Sequence, residues 1–142
     1  MSNELKLFFS TNCTSGYESS VREVCRDINV VPFIYSGITL SVQGSSLDKE
    51  IREDLYASKI AILLIVAKSS TGERIDVKDN WLLKEINSID KSKIHLLIYA
   101  SQTVSQAEID QLNLPITVVR FDNEAAFKES LKNEISFLIE SN

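Results

Sequence analysis

Cysteine, histidine and glycine are all scarce in this chain, and each shortage removes a class of chemistry. Two cysteines, Cys13 and Cys25, and one histidine, His95, cannot assemble a zinc site or a disulfide framework. The four glycines, Gly16, Gly37, Gly44 and Gly72, fall singly in loops. Neither G-x-x-x-x-G-K-S/T nor a G-x-G-x-x-G after a strand is therefore present, and the usual backbone cradles for phosphate are missing. No G-x-S-x-G elbow occurs, which removes the α/β-hydrolase arrangement. Basic runs are absent and the formal net charge is −5, so the footprint of a nucleic-acid binder is lacking. The longest strongly apolar run, from Ile60 to Ala67, is too short to span a bilayer. MSNELKLFF has no basic stretch leading into an apolar signal core. A reduced, cytoplasmic protein is expected, with no metal, no cofactor, no nucleic acid and no membrane among its partners.

What is present is strand and helix in alternation. Leu5 to Ser10 (LKLFFS) is a short apolar run ending in polar residues, the mark of a buried strand. Ser15 opens S-G-Y-E, a capping-box pattern with Glu18, and Tyr17, Val21, Val24, Cys25 and Ile28 then keep helical spacing. Val30 to Tyr35 (VVPFIY) reads as a strand that Pro32, lacking an N–H, moves to an edge or a strand start. After a loop from Ser36, Ser45 or Ser46 caps a helix in which Leu47, Ile51 and Leu55 recur every four residues. KIAILLIVA reads as a central strand covered on both faces. The polar run SSTGERIDVKD leads into a helix holding Trp81. IHLLIY, from Ile94, and ITVVRF, from Ile116, add two strands, and Phe127, Leu131, Ile135 and Leu138 line the inner side of a last helix. His95, inside the fourth strand, reads as a packed core histidine, and Cys25 as a small core residue of the first helix. With 142 residues, 44% hydrophobic and 25% charged, one α/β domain over residues 1–142 is expected. Its architecture is a five-stranded parallel sheet flanked by helices on both faces, as in flavodoxin-like folds.

In such sheets ligands bind beyond the carboxyl ends of the strands. Four polar segments fall there: Ser10 to Ser15, Ser36 to Ser46, Lys68 to Asp79 and Ser101 to Gln106. Cys13 is well placed after the first strand but has no base or helix start clearly beside it. FFSTN offers no acidic pair of the kind a flavodoxin-type receiver needs. The third helix is more informative. At about 100° per residue, Glu85 falls about 40° from Trp81, Leu82 about 100° and Ile86 about 140°. Glu85 therefore shares a side with apolar residues instead of standing with Lys84 and Ser88. It either reaches round to water while Trp81 packs on the sheet, or it sits at the rim of a cleft.

Several short stretches, in order, resemble a TIR (Toll/interleukin-1 receptor) domain over nearly the whole chain. LKLFFST resembles the family's opening strand, IYSGITLSVQGSSLDKEI its long loop after the second strand, and YASKIAILLIVAKSS its third-strand region. IHLLIY resembles the fourth strand. The most specific piece is KDNWLLKEI, similar to the third helix with its W-x-x-x-E. The resemblance implies an enzyme that cleaves the nicotinamide–ribose bond of NAD+, with NAD+ as substrate and no cofactor. Glu85 would be the catalytic carboxylate, Trp81 would pack on nicotinamide or ribose, and Phe9, Ser10, Thr11, Asn12 and Ser36 would line the substrate cleft. It also implies TIR–TIR self-association, a role in anti-phage defence signalling, and a separate sensor or effector protein. FFST is similar, too, to nucleoside deoxyribosyltransferase-like proteins, which perform related N-glycosidic chemistry. A non-catalytic TIR-like assembly module is the reading from a different class.

Overall fold

Runs of leucine, isoleucine, valine and phenylalanine form the sheet because each has a length suited to a strand and apolar residues for both of its faces. In the computed structural model, which describes residues 5–12, 17–36, 42–66 and 80–140, the strands are β1 (Leu5–Thr11), β2 (Val30–Ser36), β3 (Ile60–Ile65), β4 (His95–Ser101) and β5 (Val118–Phe121). The helices are α1 (Glu18–Asp27), α2 (Ser46–Ala57), α3 (Trp81–Glu85), α4 (Gln106–Gln111) and α5 (Glu124–Glu140). All four strand pairings are parallel, in the order β2-β1-β3-β4-β5. The expected α/β architecture is therefore the one found. β3 lies at the centre with every residue buried, and β2 with Pro32 lies at an edge, where a missing N–H is tolerated.

The two faces of the sheet carry separate cores. One packs Phe8, Ala61, Leu63 and Ile98 under α2, α3 and α4, through Ile51, Leu55, Trp81, Leu82 and Ile109. The other packs Phe9, Ile62, Leu64 and Tyr99 under α1 and α5, through Val21, Val24, Phe127, Leu131 and Ile135. Phe127 meets Tyr17, Tyr99 and Phe121 with ring centroids 5.5, 5.1 and 5.2 Å away, in the edge-on or tilted arrangements aromatic rings prefer. Ser20 donates to Glu124 at 2.6 Å, and Lys128 pairs with Glu23 at 2.6 Å, joining α1 to α5.

Several local expectations change. α1 begins at Glu18 with Tyr17 as a cap that makes no side-chain bond, so Glu18 opens the helix instead of closing a capping box; Ser15 lies outside the described residues. Ser45 does cap α2, accepting from the Asp48 N–H. On α2, however, Leu47 is exposed and Asp48 is buried beside Ile51 and Leu55, because the inward face starts one residue later. His95 is exposed, not packed: it is the first residue of β4, at the open N-terminal rim. Cys25 is fully buried in the second core, as expected. Helix α4 went unnoticed in the sequence because Ile109 is its one buried residue. Its signal was the S-x-x-E of Ser105 and Glu108, and Ser105 does accept from the Glu108 N–H at 3.2 Å. Among the described residues, no helix is long and apolar enough to cross a membrane.

Candidate active site

The order β2-β1-β3 reverses direction at β1, so the crevice beyond the carboxyl ends of β1 and β3 is where this topology offers a ligand site. The end of β1 supplies Ser10, Thr11 and Asn12, each about 1% exposed. Asn12 is used structurally: its amide donates to the Val66 carbonyl at 2.9 Å and accepts from the Val66 N–H at 2.8 Å. This reciprocal pair extends the β1–β3 ladder past its last residues. Ser10 and Asn80 lie within hydrogen-bond reach, 3.2 to 3.3 Å apart. Asn80 Oδ1 also accepts from the Leu82 and Leu83 N–H groups, at 2.8 and 3.2 Å. One fully buried asparagine thus caps α3 and moors it to the end of β1.

The cap fixes the direction of α3 and so the positions of Trp81 and Glu85. Trp81 is 1% exposed, tilted against Phe8 with centroids 6.2 Å apart. Its indole N–H donates to Asp48 Oδ1 at 2.7 Å. Arg52, one turn further along α2, places its Nε 3.3 Å from Asp48 Oδ2 and its guanidinium carbon 5.4 Å from the Trp81 ring centre, a cation–π distance. The other end of the guanidinium pairs with Glu85 Oε1 at 2.8 Å. The result is one connected network, Trp81–Asp48–Arg52–Glu85, spanning α2 and α3.

Hydrogen bonding, first from the Trp81 indole, holds the Asp48 carboxyl below its usual range despite partial desolvation. The Glu85 bond raises the affinity of Arg52 for its proton. Glu85 itself is 8% exposed, and its Oε2 has no partner among the described residues. Arg52 keeps 38% of its side chain exposed and borders a shallow surface hollow of about 710 Å³ running along α2 with Ser45, Lys49 and Tyr56. Tyr35, stacked on Phe8 at 5.4 Å, donates to Asp54 of the same helix. Burial first, then that carboxylate, pushes its phenol above the usual range.

Residue by residue, the structure divides the expected site. Ser10, Trp81 and Glu85 share the α2/α3 face of the sheet. Phe9 packs with α1 and α5 on the opposite face, and Thr11 and Ser36, paired in register with each other, follow it there. Phe9 and Glu85 thus lie on opposite faces of the sheet. Ser36 Oγ is buried without a hydrogen-bond partner among the described residues. Stacking of the Trp81 ring on a ligand does not fit a ring that is 1% exposed and covered by Arg52. Its contacts make it a support for Asp48 and Arg52. Asp48 and Arg52, which carry no motif of their own in the sequence, are the groups that meet Glu85 and Trp81. Their i, i+4 spacing on α2 was legible as an ion pair, but its link to α3 was not.

Of the polar segments, Lys68 to Asp79 lies outside the described residues, as do Cys13, Gly16, Gly37 and Gly72. The Ser101 to Gln106 segment is held by Arg120, which donates to the Ser101 carbonyl at 3.2 Å and to the Val104 carbonyl. Among the described residues, no group of three or more His, Cys, Asp or Glu side chains is placed to hold a metal ion. No protein-family model matches this chain, and no curated protein matches it.

Proposed function

We propose that this chain is a TIR-like enzyme that cleaves the nicotinamide–ribose bond of NAD+ through Glu85. The observation that carries the reading is a nearly buried carboxylate with one oxygen held by Arg52 and the other without a partner among the described residues. Nicotinamide leaves as a neutral molecule from a cationic pyridinium, so no acid need protonate it, unlike the leaving group of an ordinary glycoside. What the reaction needs is negative charge and hydrogen-bond acceptance beside an oxocarbenium-like ribose, which a carboxylate supplies. Arg52 orients Glu85 and offsets its charge at rest. Water attacking the ribose carbon gives ADP-ribose, nicotinamide and a proton; attack by an adenosine group of the same molecule gives a cyclic product instead. Defence signalling in the cytoplasm, through self-association and a separate sensor or effector, is the setting this chemistry suits.

A non-catalytic assembly module is the second reading, favoured by a specific feature. The Trp81–Asp48–Arg52–Glu85 network is internally paired, as a purely structural α2–α3 brace would be. The two separate on nicotinamide release from NAD+ measured over a range of protein concentrations, with chromatography of the products. Release by the wild type and not by Glu85→Ala supports the enzyme; equal release by both removes Glu85 from the chemistry. Silence from both, at concentrations where the chain self-associates, favours the module.

A further inference from the structure

The rim of the sheet opposite the Ser10–Asn80 end carries an unusual concentration of positive charge. Lys59, Lys91 and Lys93, with the chain's one histidine, His95, line a hollow of about 540 Å³. All four are exposed. The floor is apolar: Ile60 is buried, and Leu5 and Leu138 are half-buried. Ile60 and His95 are adjacent in register at the starts of β3 and β4, so the hollow sits where the central strands begin.

Its framework is well tied. The His95 N–H donates to the Lys59 carbonyl at 2.8 Å, and the Lys59 N–H to the Lys6 carbonyl at 3.0 Å. The Lys91–Lys93 turn is closed by Asp90, whose carbonyl accepts from the Lys93 N–H at 2.9 Å. Asp90 Oδ1 accepts from the Ser92 N–H at 3.0 Å and the Ser92 hydroxyl at 2.5 Å. Asp90 therefore spends one oxygen on its own turn, while its charge still attracts Lys93. Among the described residues, the ion pairs engage Arg26, Arg52 and Lys128, and none engages the three lysines. The chain has five more acidic than basic residues, 20 against 15, so this cluster is not a by-product of a basic composition.

Ammonium groups gathered around one hollow repel each other until an anion enters, and lysine binds phosphate as a point charge without demanding a fixed fork geometry. An apolar floor beneath them favours a ligand that carries carbon as well as charge. We propose that this hollow is a second site, separate from Glu85, that takes a small phosphate monoester bearing an aryl or other apolar group. The anion sits among the three lysines and His95, and the organic part covers Leu5, Ile60 and Leu138.

A single histidine makes the test direct, because its imidazole gives one set of ring signals in an NMR spectrum. The wild type is titrated with phenyl phosphate and with inorganic phosphate, the ionic strength being held constant with sodium chloride. Expected is a saturable shift of the His95 signals, tighter for phenyl phosphate than for inorganic phosphate. The exposed double substitution Lys91→Gln/Lys93→Gln, which leaves the core untouched, should weaken it at least about tenfold through loss of two charge-assisted contacts. A shift that rises linearly without saturating, or that chloride reproduces, would overturn the site. So would saturation unaffected by the double substitution, while equal affinity for the two phosphates would overturn the role given to the apolar floor.

Discussion

Asp48 is the residue on which the geometry around Glu85 turns, since it accepts from the Trp81 indole and positions Arg52. It was hidden in the sequence because the every-fourth-residue spacing of Leu47, Ile51 and Leu55 draws attention to the wrong neighbour. A charged residue next to an apolar stripe reads as solvent-facing until a partner on another element is known. The folded-state acidity of Asp48 lies below its ordinary value of 3.8, mainly because of the Trp81 hydrogen bond. Its contribution to stability is therefore present above that ordinary value and lost as pH falls through the lower folded one. Urea-unfolding midpoints followed downward from neutral pH should fall less steeply in the acid range for Asp48→Asn than for the wild type. Cys25 makes the opposite case, a residue read correctly because burial alone decides its behaviour. Burial pushes its thiol up to about 11, so iodoacetamide at neutral pH should leave the Cys25 peptide unmodified in the native protein and label it in denaturant, as read by mass spectrometry.

Among the elements, α3 is the one whose existence depends most on a single side chain. Its five residues are too few to be stable alone, and Asn80 supplies both its cap and its mooring to Ser10. Asn80→Ala should lower stability by about 1 to 2 kcal/mol in urea unfolding, and any activity that depends on Glu85 should fall with it. Ser105→Ala, which removes the cap of the more exposed α4, should cost less than about 1 kcal/mol. The sequence marked α3 by Trp81 and Glu85 and carried its wheel on to Ile86 and Ser88, but after Glu85 the chain tightens into a 3-10 turn, Ile86–Ser88. A wheel drawn on uniform 3.6-residue periodicity cannot register that tightening. It nonetheless placed Glu85 on the buried side, because one turn of helix suffices for that relation.

Over the whole molecule, the strands and their parallel arrangement were legible because apolar runs buried on both faces alternate with helical segments. The assignment of strand residues to faces was not legible. In β1, Phe8 and Phe9 are chemically alike, yet one lies under α2 and α3 and the other under α1 and α5. A strand with two apolar faces carries no alternation from which to tell them apart. The cleft implied by the TIR resemblance accordingly draws Phe9 and Thr11 from one face and Ser10 and Glu85 from the other. The second core depends on Phe127, which is fully buried against three aromatic rings. Phe127→Ala should cost about 3 to 5 kcal/mol, measured by urea unfolding, without touching any group on the Glu85 side.

If Glu85 supplies the negative charge for NAD+ cleavage, its isosteric neutral substitution should abolish the reaction without disturbing the fold. Glu85→Gln keeps the size of the side chain and a hydrogen-bond acceptor toward Arg52, while removing the negative charge. With folding of both proteins checked by circular dichroism, nicotinamide released from NAD+ is measured at matched, high protein concentration. Expected are release by the wild type and a fall of at least about a hundredfold in Glu85→Gln, the scale on which a lost electrostatic partner of the transition state acts. Undiminished release by a folded Glu85→Gln would contradict that role of Glu85.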